Sequence, residues 1–122
     1  MKHTHSQRIL IVDDNEDAAV SLAALLSALG YETHTALDGE TALASVDSFR
    51  PDVVLLDIGL PDLDGYEVAL RLREEGAKEL KLIALTGYGQ EEDLRRAREA
   101  GFDQHLLKPV NLETLKKLLE SS

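Results

Sequence analysis

Five polar side chains at the ends of apolar runs could carry out chemistry together. They are Asp13, Asp14, Asp57, Thr86 and Lys108, and the runs that precede them are rich in Val, Ile or Leu. In a parallel β-sheet the carboxyl ends of the strands lie at one edge, where ligands bind. If these runs are parallel strands, the five side chains meet in one pocket.

Such a pocket could transfer a phosphoryl group. Three carboxylates repel one another by roughly 1 to 4 kcal/mol per pair at about 4 Å, so we expect a hard divalent cation beside Asp13, Asp14 and Asp57. Mg²⁺ suits this site because it keeps positions open for water and phosphate oxygens. With Lys108 opposite the metal, a carboxylate oxygen of Asp57 could attack phosphorus. Thr86 would donate its hydroxyl to a phosphoryl oxygen.

Each of these residues also has a purely structural interpretation. The segment 13–15 could cap a helix, and Asp57 could be a turn residue. Thr86 could belong to a plain loop, and Lys108-Pro109 could begin a helix. These interpretations do not explain why all the residues fall at the same edge, which favours a functional site.

The elements that position these residues follow from apolar runs that alternate with amphipathic segments, a pattern typical of an α/β fold. Strands are predicted at residues 8–12, 31–36, 52–56, 81–85 and 104–107. The first, third and fourth are unbroken apolar runs, which indicates burial on both faces. We expect one domain over residues 8–122, preceded by a disordered polar lead-in at residues 1–7.

Five helices are predicted between and after the strands. They span residues 16–29, 39–48 behind Asp38 as N-cap, 65–75, 90–100 and a last segment from 111. Their expected inward positions are Ala18, Leu22, Leu25, Leu26 and Leu29; Val68, Leu70 and Leu72; Leu94, Ala97 and Ala100; and Leu112, Leu115, Leu118 and Leu119. The fourth stripe is thin, which predicts weak anchoring and a helix that could shift.

Composition excludes several functions. The 23 acidic and 13 basic residues give a net charge of −10, which argues against direct contact with nucleic acid or acidic membranes. The chain has no cysteine, so disulfides and thiolate metal sites are absent and a reducing, cytoplasmic location is expected. The apolar stretches are far too short to cross a membrane.

Four motifs stand in order along the chain: ILIVDDN at 9–15, DIGLPDLDGYE at 57–67, ALTG at 84–87 and LKP at 107–109. In order and spacing they resemble the receiver domain of two-component response regulators, and the resemblance extends from about residue 8 to 119. The segments 86–90, 100–103 and 105–106 are similar to receivers at the carboxyl end of hybrid sensor histidine kinases. The resemblance implies a flavodoxin-like (βα)5 three-layer sandwich with strand order 2-1-3-4-5.

The resemblance also implies a function for the pocket. A histidine kinase or histidine phosphotransfer protein would phosphorylate Asp57, which makes the chain a phosphoryl acceptor rather than an enzyme. Mg²⁺, or Mn²⁺ in its place, would be bound by Asp14, Asp57 and the carbonyl of Gly59, with Asp13 acting through water. The Lys108-Pro109 bond would be cis. Phosphorylation would change the surface of the fourth helix, fifth strand and fifth helix. The chain would be a monomer or a weak homodimer. The resemblance does not identify its downstream protein target.

One residue departs from the family pattern. The family usually carries Tyr or Phe three residues before the lysine, where this chain has His105. His105 could turn inward as a switch residue that responds to pH near neutrality, or it could be a surface histidine without a signalling role.

Three other functions are alternatives to a phosphorylated switch. An aspartyl phosphatase needs an acid two residues after its nucleophile, where Gly59 stands. A flavin binder needs a phosphate loop after the first strand, where Asp13 and Asp14 would repel the phosphate. A receiver-like module that binds partners without phosphorylation would not need the complete set of site residues.

Overall fold

The computed structural model describes residues 7–58, 60, 64–76, 79–87 and 91–120, with residues 91–93 described by their backbone. Strands and helices alternate strictly. They are β1 (Arg8–Val12), α1 (Glu16–Ala28), β2 (Glu32–Ala36), α2 (Gly39–Phe49), β3 (Val53–Asp57), α3 (Gly65–Glu74), β4 (Lys81–Thr86), α4 (Glu91–Ala100), β5 (Gln104–Leu107) and α5 (Leu112–Glu120). The strands pair in parallel in the order β2-β1-β3-β4-β5, which confirms the flavodoxin-like fold.

The core lies on both faces of the sheet. Successive residues of a strand point to opposite faces, so Leu10 and Val54 pack with α2, α3 and α4, whereas Ile9 and Val53 pack with α1 and α5. Every residue of β3 is buried. The unbroken apolar runs therefore do mark strands that are covered on both sides, and the three layers hold the carboxyl edge of the sheet in place.

Polar side chains set the starts of α2 and α3. The carboxylate of Asp38 accepts a hydrogen bond from the backbone N–H of Thr41 at 2.8 Å, which confirms it as the N-cap of α2. Asp64 caps α3 in the same way, through the N–H of Glu67 at 2.9 Å. At its other end α1 is followed by Gly30 with φ +102°, a left-handed conformation that favours glycine.

Two predicted helix faces were partly wrong. In α1 the buried residues are Ala19 and Leu26, whereas Ala18, Leu25 and Leu29 are exposed. The helix has two overlapping apolar stripes, and it packs through the one that contains the small Ala19. In α3, Leu70 is 42% exposed because it lies about 200° around the helix from Val68. The inward positions predicted for α5 are buried or packed against the core.

The outermost strand β2 is short and polar, with Glu32 and His34 exposed. Of the predicted lead-in only Gln7 lies within the described residues, and its carbonyl accepts a hydrogen bond from the N–H of Glu32. Across the described ranges, every helix lacks the length and apolar character needed to cross a bilayer.

Candidate functional site

The polar residues predicted to meet do lie at one edge of the sheet. Asp57 and Thr86 are the last residues of β3 and β4 rather than the first residues after them, because Asp57 still pairs with Leu85, and Thr86 with Leu107. Both side chains are buried, with Asp57 8% and Thr86 3% exposed. β3 is the central strand, so Asp57 stands between the ends of β1 and β4.

Asp13 and Asp14 directly follow β1 and lie beside Asp57. The N–H of Asp13 donates to the carbonyl of Ala36 at 3.1 Å, which extends the pairing with β2 by one residue. The cap of α1 is Asn15, whose side-chain oxygen accepts from the N–H of Ala18. The two aspartates are therefore not the helix cap, although Asp13 supports the turn by accepting from the N–H of Asn15 at 3.0 Å.

Three carboxylates converge at this edge. Oxygen atoms of Asp13, Asp14 and Asp57 all lie within 4.8 Å of one another, and Asp14 is exposed while the other two are buried. Carboxylate oxygens at this separation can share one hard cation, which offsets their mutual repulsion. The donor set therefore fits a divalent metal ion. Gly59, the fourth predicted ligand, lies outside the described residues.

Lys108 provides the positive charge of the site. Its Nζ lies 2.9 Å from Oδ2 of Asp57 and 3.1 Å from Oδ2 of Asp13, so it bridges β3 and β1. Its backbone N–H donates to the carbonyl of Thr86 at 2.8 Å. The Lys108-Pro109 peptide bond is cis, the isomer that the resemblance implies.

The charge of Lys108 is expected to stabilise the fold up to alkaline pH. Burial lowers the pKa of this lysine, but hydrogen bonds to Asp57 and Asp13, together with attraction by their negative charges, outweigh burial and raise the pKa above its usual 10.5. A cation whose pKa is higher in the folded chain contributes stability below its unfolded pKa and loses it as the pH rises through the folded pKa. Removing this charge should therefore lower the unfolding free energy by less at high pH than near neutrality.

Urea unfolding in metal-free buffer tests this expectation. The difference in unfolding free energy between the native chain and Lys108→Gln should be constant near neutrality and shrink above pH 10.5. The pKa of Tyr31 is also raised, by burial and then by Glu120, but Tyr31 titrates in both proteins and cancels from the difference. A difference that does not change with pH would contradict the expectation.

His105 does not point into this site. It is exposed on β5, where it pairs with Ala84 rather than with Thr86. Beside it lies a small cavity of about 210 Å³, lined in part by Ala97 and Phe102. A role for His105 as the switch residue stays a prediction.

Sequence reasoning missed a close contact of the α3 start with the site. The N–H of Gly65 donates to the carbonyl of Ile58 at 3.0 Å. A Cβ atom at this position would lie 2.5 Å from Cα of Ile58 and 2.8 Å from the carbonyl oxygen of Asp57. In the sequence Gly65 directly follows the N-cap Asp64 within the motif at 57–67, and a flexible helix start explains a glycine there equally well.

A groove beside the site was also not predicted. It has a volume of about 520 Å³ and runs along α1 from Asp13 and Lys108 to the apolar side chains of Leu22, Leu25 and Val110. The half-exposed Leu25, expected in the core, forms part of its wall. The groove therefore places an apolar surface next to the carboxylates.

Comparison with known families agrees with the geometry. The family profile described as response regulator receiver domain matches residues 9–120. The sensor histidine kinase RcsC of Escherichia coli K12 is 39% identical over 111 residues, which cover 91% of this chain and 12% of the kinase. The response regulator MprA of Mycolicibacterium vanbaalenii is 42% identical over 108 residues, which cover 88% of this chain and 46% of the regulator. The chain thus spans less than half of the length of these relatives.

Solved structures show the same fold. The chemotaxis protein CheY4 of Vibrio cholerae superposes with a TM-score of 0.90 at 32% identity, covering 95% of this chain and 98% of that one. A chain in the co-crystal of the Saccharomyces cerevisiae phosphotransfer protein Ypd1 with the receiver domain of Ssk1 gives 0.86 at 28% identity, covering 95% and 88%. Both resemblances drawn from the motifs, to regulator receivers and to receivers of sensor kinases, are confirmed.

Proposed function

The chain belongs to the response regulator receiver domain family, and from this premise we propose that it accepts a phosphoryl group on Asp57. The observation that carries the proposal is the position of Asp57, buried at the end of the central strand, in contact with Lys108 and within 4.8 Å of two further carboxylates. In the reaction, a carboxylate oxygen of Asp57 forms a bond to phosphorus. The bond from phosphorus to the donor breaks, and the leaving group takes its electron pair.

The neighbouring side chains would stabilise the charge that moves in this step. Lys108 already lies within hydrogen-bond distance of Asp57. Its positive charge would therefore lie beside the phosphoryl oxygens once they are attached to Asp57. Thr86, at the end of the adjacent strand, would donate its hydroxyl to another phosphoryl oxygen. The chain would act as an acceptor that assists its own phosphorylation and dephosphorylation, without turning over a substrate as an enzyme does.

The carboxylate cluster would hold Mg²⁺, with Mn²⁺ as an alternative. Asp14 and Asp57, together with the carbonyl of Gly59, would be direct ligands, and Asp13 would act through water. When bound, the ion would neutralise charge on the phosphoryl oxygens. Oδ1 of Asp13 already accepts from the N–H of Asn15, and Oδ2 contacts Lys108. These contacts support binding of Asp13 to the metal through water rather than directly.

The donor would be a histidine kinase or a histidine phosphotransfer protein. Such a donor must bring its phosphohistidine to Asp57 and therefore contacts the surface around it, where the apolar groove along α1 lies. Phosphorylation would alter the surface of α4, β5 and α5, through which a downstream protein or a second copy would bind. As expected from the sequence, the chain would act in the cytoplasm, without direct contact with membranes or nucleic acid.

Intact mass spectrometry tests the proposal. After incubation with phosphoramidate and Mg²⁺, the chain is expected to gain the mass of one phosphoryl group. Adding a chelator should slow the gain by about 100-fold or more, because the ion stabilises the transferring charge. A folded chain that gains no mass with several small donors would contradict the proposal and favour a module that acts without phosphorylation.

A further inference from the structure

Helix α4 is held firmly at its carboxyl end. The guanidinium of Arg73, on α3, donates to the carbonyl of Gly101 at 2.7 and 3.0 Å and to the carbonyl of Leu80 at 2.8 Å. It also pairs with the carboxylate of Asp103 at 3.0 Å, and that carboxylate accepts from the N–H of Leu82 at 2.9 Å. These bonds tie the end of α4 to α3 and to the sheet.

A second contact holds α4 at its middle. The guanidinium of Arg96 lies over the ring of Tyr66, with its central carbon 4.2 Å from the ring centroid. Tyr66 is on α3, is 9% exposed and belongs to the same core cluster as Ala97 and Ala100. The favourable stacking of the exposed Arg96 cation on the Tyr66 ring therefore joins α3 and α4 at the surface.

Tyr66 is one residue away from a contact with the phosphoryl-acceptor strand. Gly65 rests against Ile58 and the carbonyl of Asp57 with no room for a side chain, and it donates a hydrogen bond to Ile58. Packed groups without intervening space move together rather than independently. A shift of the backbone at Asp57 must therefore displace the start of α3 and, with it, the Tyr66 ring.

We propose that the contact between Tyr66 and Arg96 transmits the state of Asp57 to α4. Because Arg73 fixes the carboxyl end of the helix, displacement at Tyr66 would tilt α4 about that end. This route runs through α3 and is separate from Thr86 on β4. The inference rests on the proposed phosphorylation of Asp57, and it names the side chains through which that event reaches α4.

Amide hydrogen exchange measured with and without phosphorylation tests this route. The variant Arg96→Gln removes the charge from the ring, and Arg95→Gln makes the same charge change at an exposed neighbour. Arg96→Lys restores a cation that can stack on Tyr66. Intact mass confirms the extent of phosphorylation in each sample, and thermal unfolding confirms that each variant is folded.

In the native chain, Arg95→Gln and Arg96→Lys, phosphorylation is expected to change exchange rates across residues 91–100 by about fivefold or more. In Arg96→Gln the change should fall below about twofold. Equal changes in Arg96→Gln and Arg95→Gln, or no change in a phosphorylated native chain, would overturn the inference and leave the proposed function intact. A native chain that takes up no phosphoryl group would instead refute the proposed function, and with it this inference.

Discussion

Replacing Asp57 with Asn is expected to abolish the gain of a phosphoryl group from phosphoramidate and Mg²⁺. The amide has nearly the same shape as the carboxylate and keeps an oxygen that can accept from Lys108, which lies 2.9 Å from Oδ2 in the native chain. It lacks the nucleophilic charge that forms the bond to phosphorus. The fold should therefore persist while the acceptor is lost, and intact mass spectrometry measures the difference.

Asp13 and Asp14 provide matched controls, because their replacement by Asn removes the same charge from the same cluster. Either variant keeps the acceptor and weakens the metal site. Phosphorylation should then be slower at low Mg²⁺ and should recover as the Mg²⁺ concentration rises. No such recovery is expected for Asp57→Asn at any metal concentration.

A different assignment of the acceptor would be visible in the same samples. If Asp57→Asn still gained a phosphoryl group at the native rate, the acceptor would be another side chain of the cluster. Peptide mapping after stabilisation of the acyl phosphate would locate it. The proposed role of Asp57 would then be wrong, whereas membership of the family would be unaffected.

The variant Gly65→Ala is expected to lose about 3 kcal/mol of unfolding free energy, at the upper end of the cost of overpacking. The added methyl would lie 2.5 Å from Cα of Ile58 and 2.8 Å from the carbonyl oxygen of Asp57. Both are backbone atoms, so no side chain can turn away to make room. Relief would require α3 to move off the sheet, which would also break the hydrogen bond from Gly65 to Ile58.

Gly87→Ala is the matched control for this variant. It makes the same chemical change near the same edge, but its added methyl would meet no heavy atom within 4 Å. Urea unfolding followed by circular dichroism should show a large loss of stability for Gly65→Ala and a change below about 0.5 kcal/mol for Gly87→Ala. Equal stability of the two variants would mean that the α3 start is not pressed against Asp57.

The layered fold and the meeting of the site residues could be predicted from the sequence. Unbroken apolar runs such as Val53 to Leu56, flanked by turn residues and rich in β-branched side chains, indicate strands that are covered on both faces. Once the strands are parallel, their carboxyl ends share one edge, and the strand order that the resemblance implies places Asp13, Asp57 and Thr86 on neighbouring strands. No distances are needed for that step.

Packing details could not be predicted because they depend on how elements dock. The two apolar stripes of α1 differ by one position, and only contact with the sheet decides that Ala19 is buried and Ala18 exposed. Gly65 is recognised as a close contact only when α3 and β3 are placed together. The bonds of Arg73 to Gly101 and Asp103 join residues that are 28 and 30 positions apart in sequence and carry no periodic signal.

The polar character of β2 has a consequence for how the protein behaves when crowded. An outer strand presents unpaired backbone groups that can recruit another chain into a growing sheet, the first step of many aggregates. Here that strand has five residues, and Glu32 and His34 are exposed on it. A second chain that paired with β2 would meet a carboxylate and a polar ring rather than an apolar surface, which disfavours growth of the sheet at this edge.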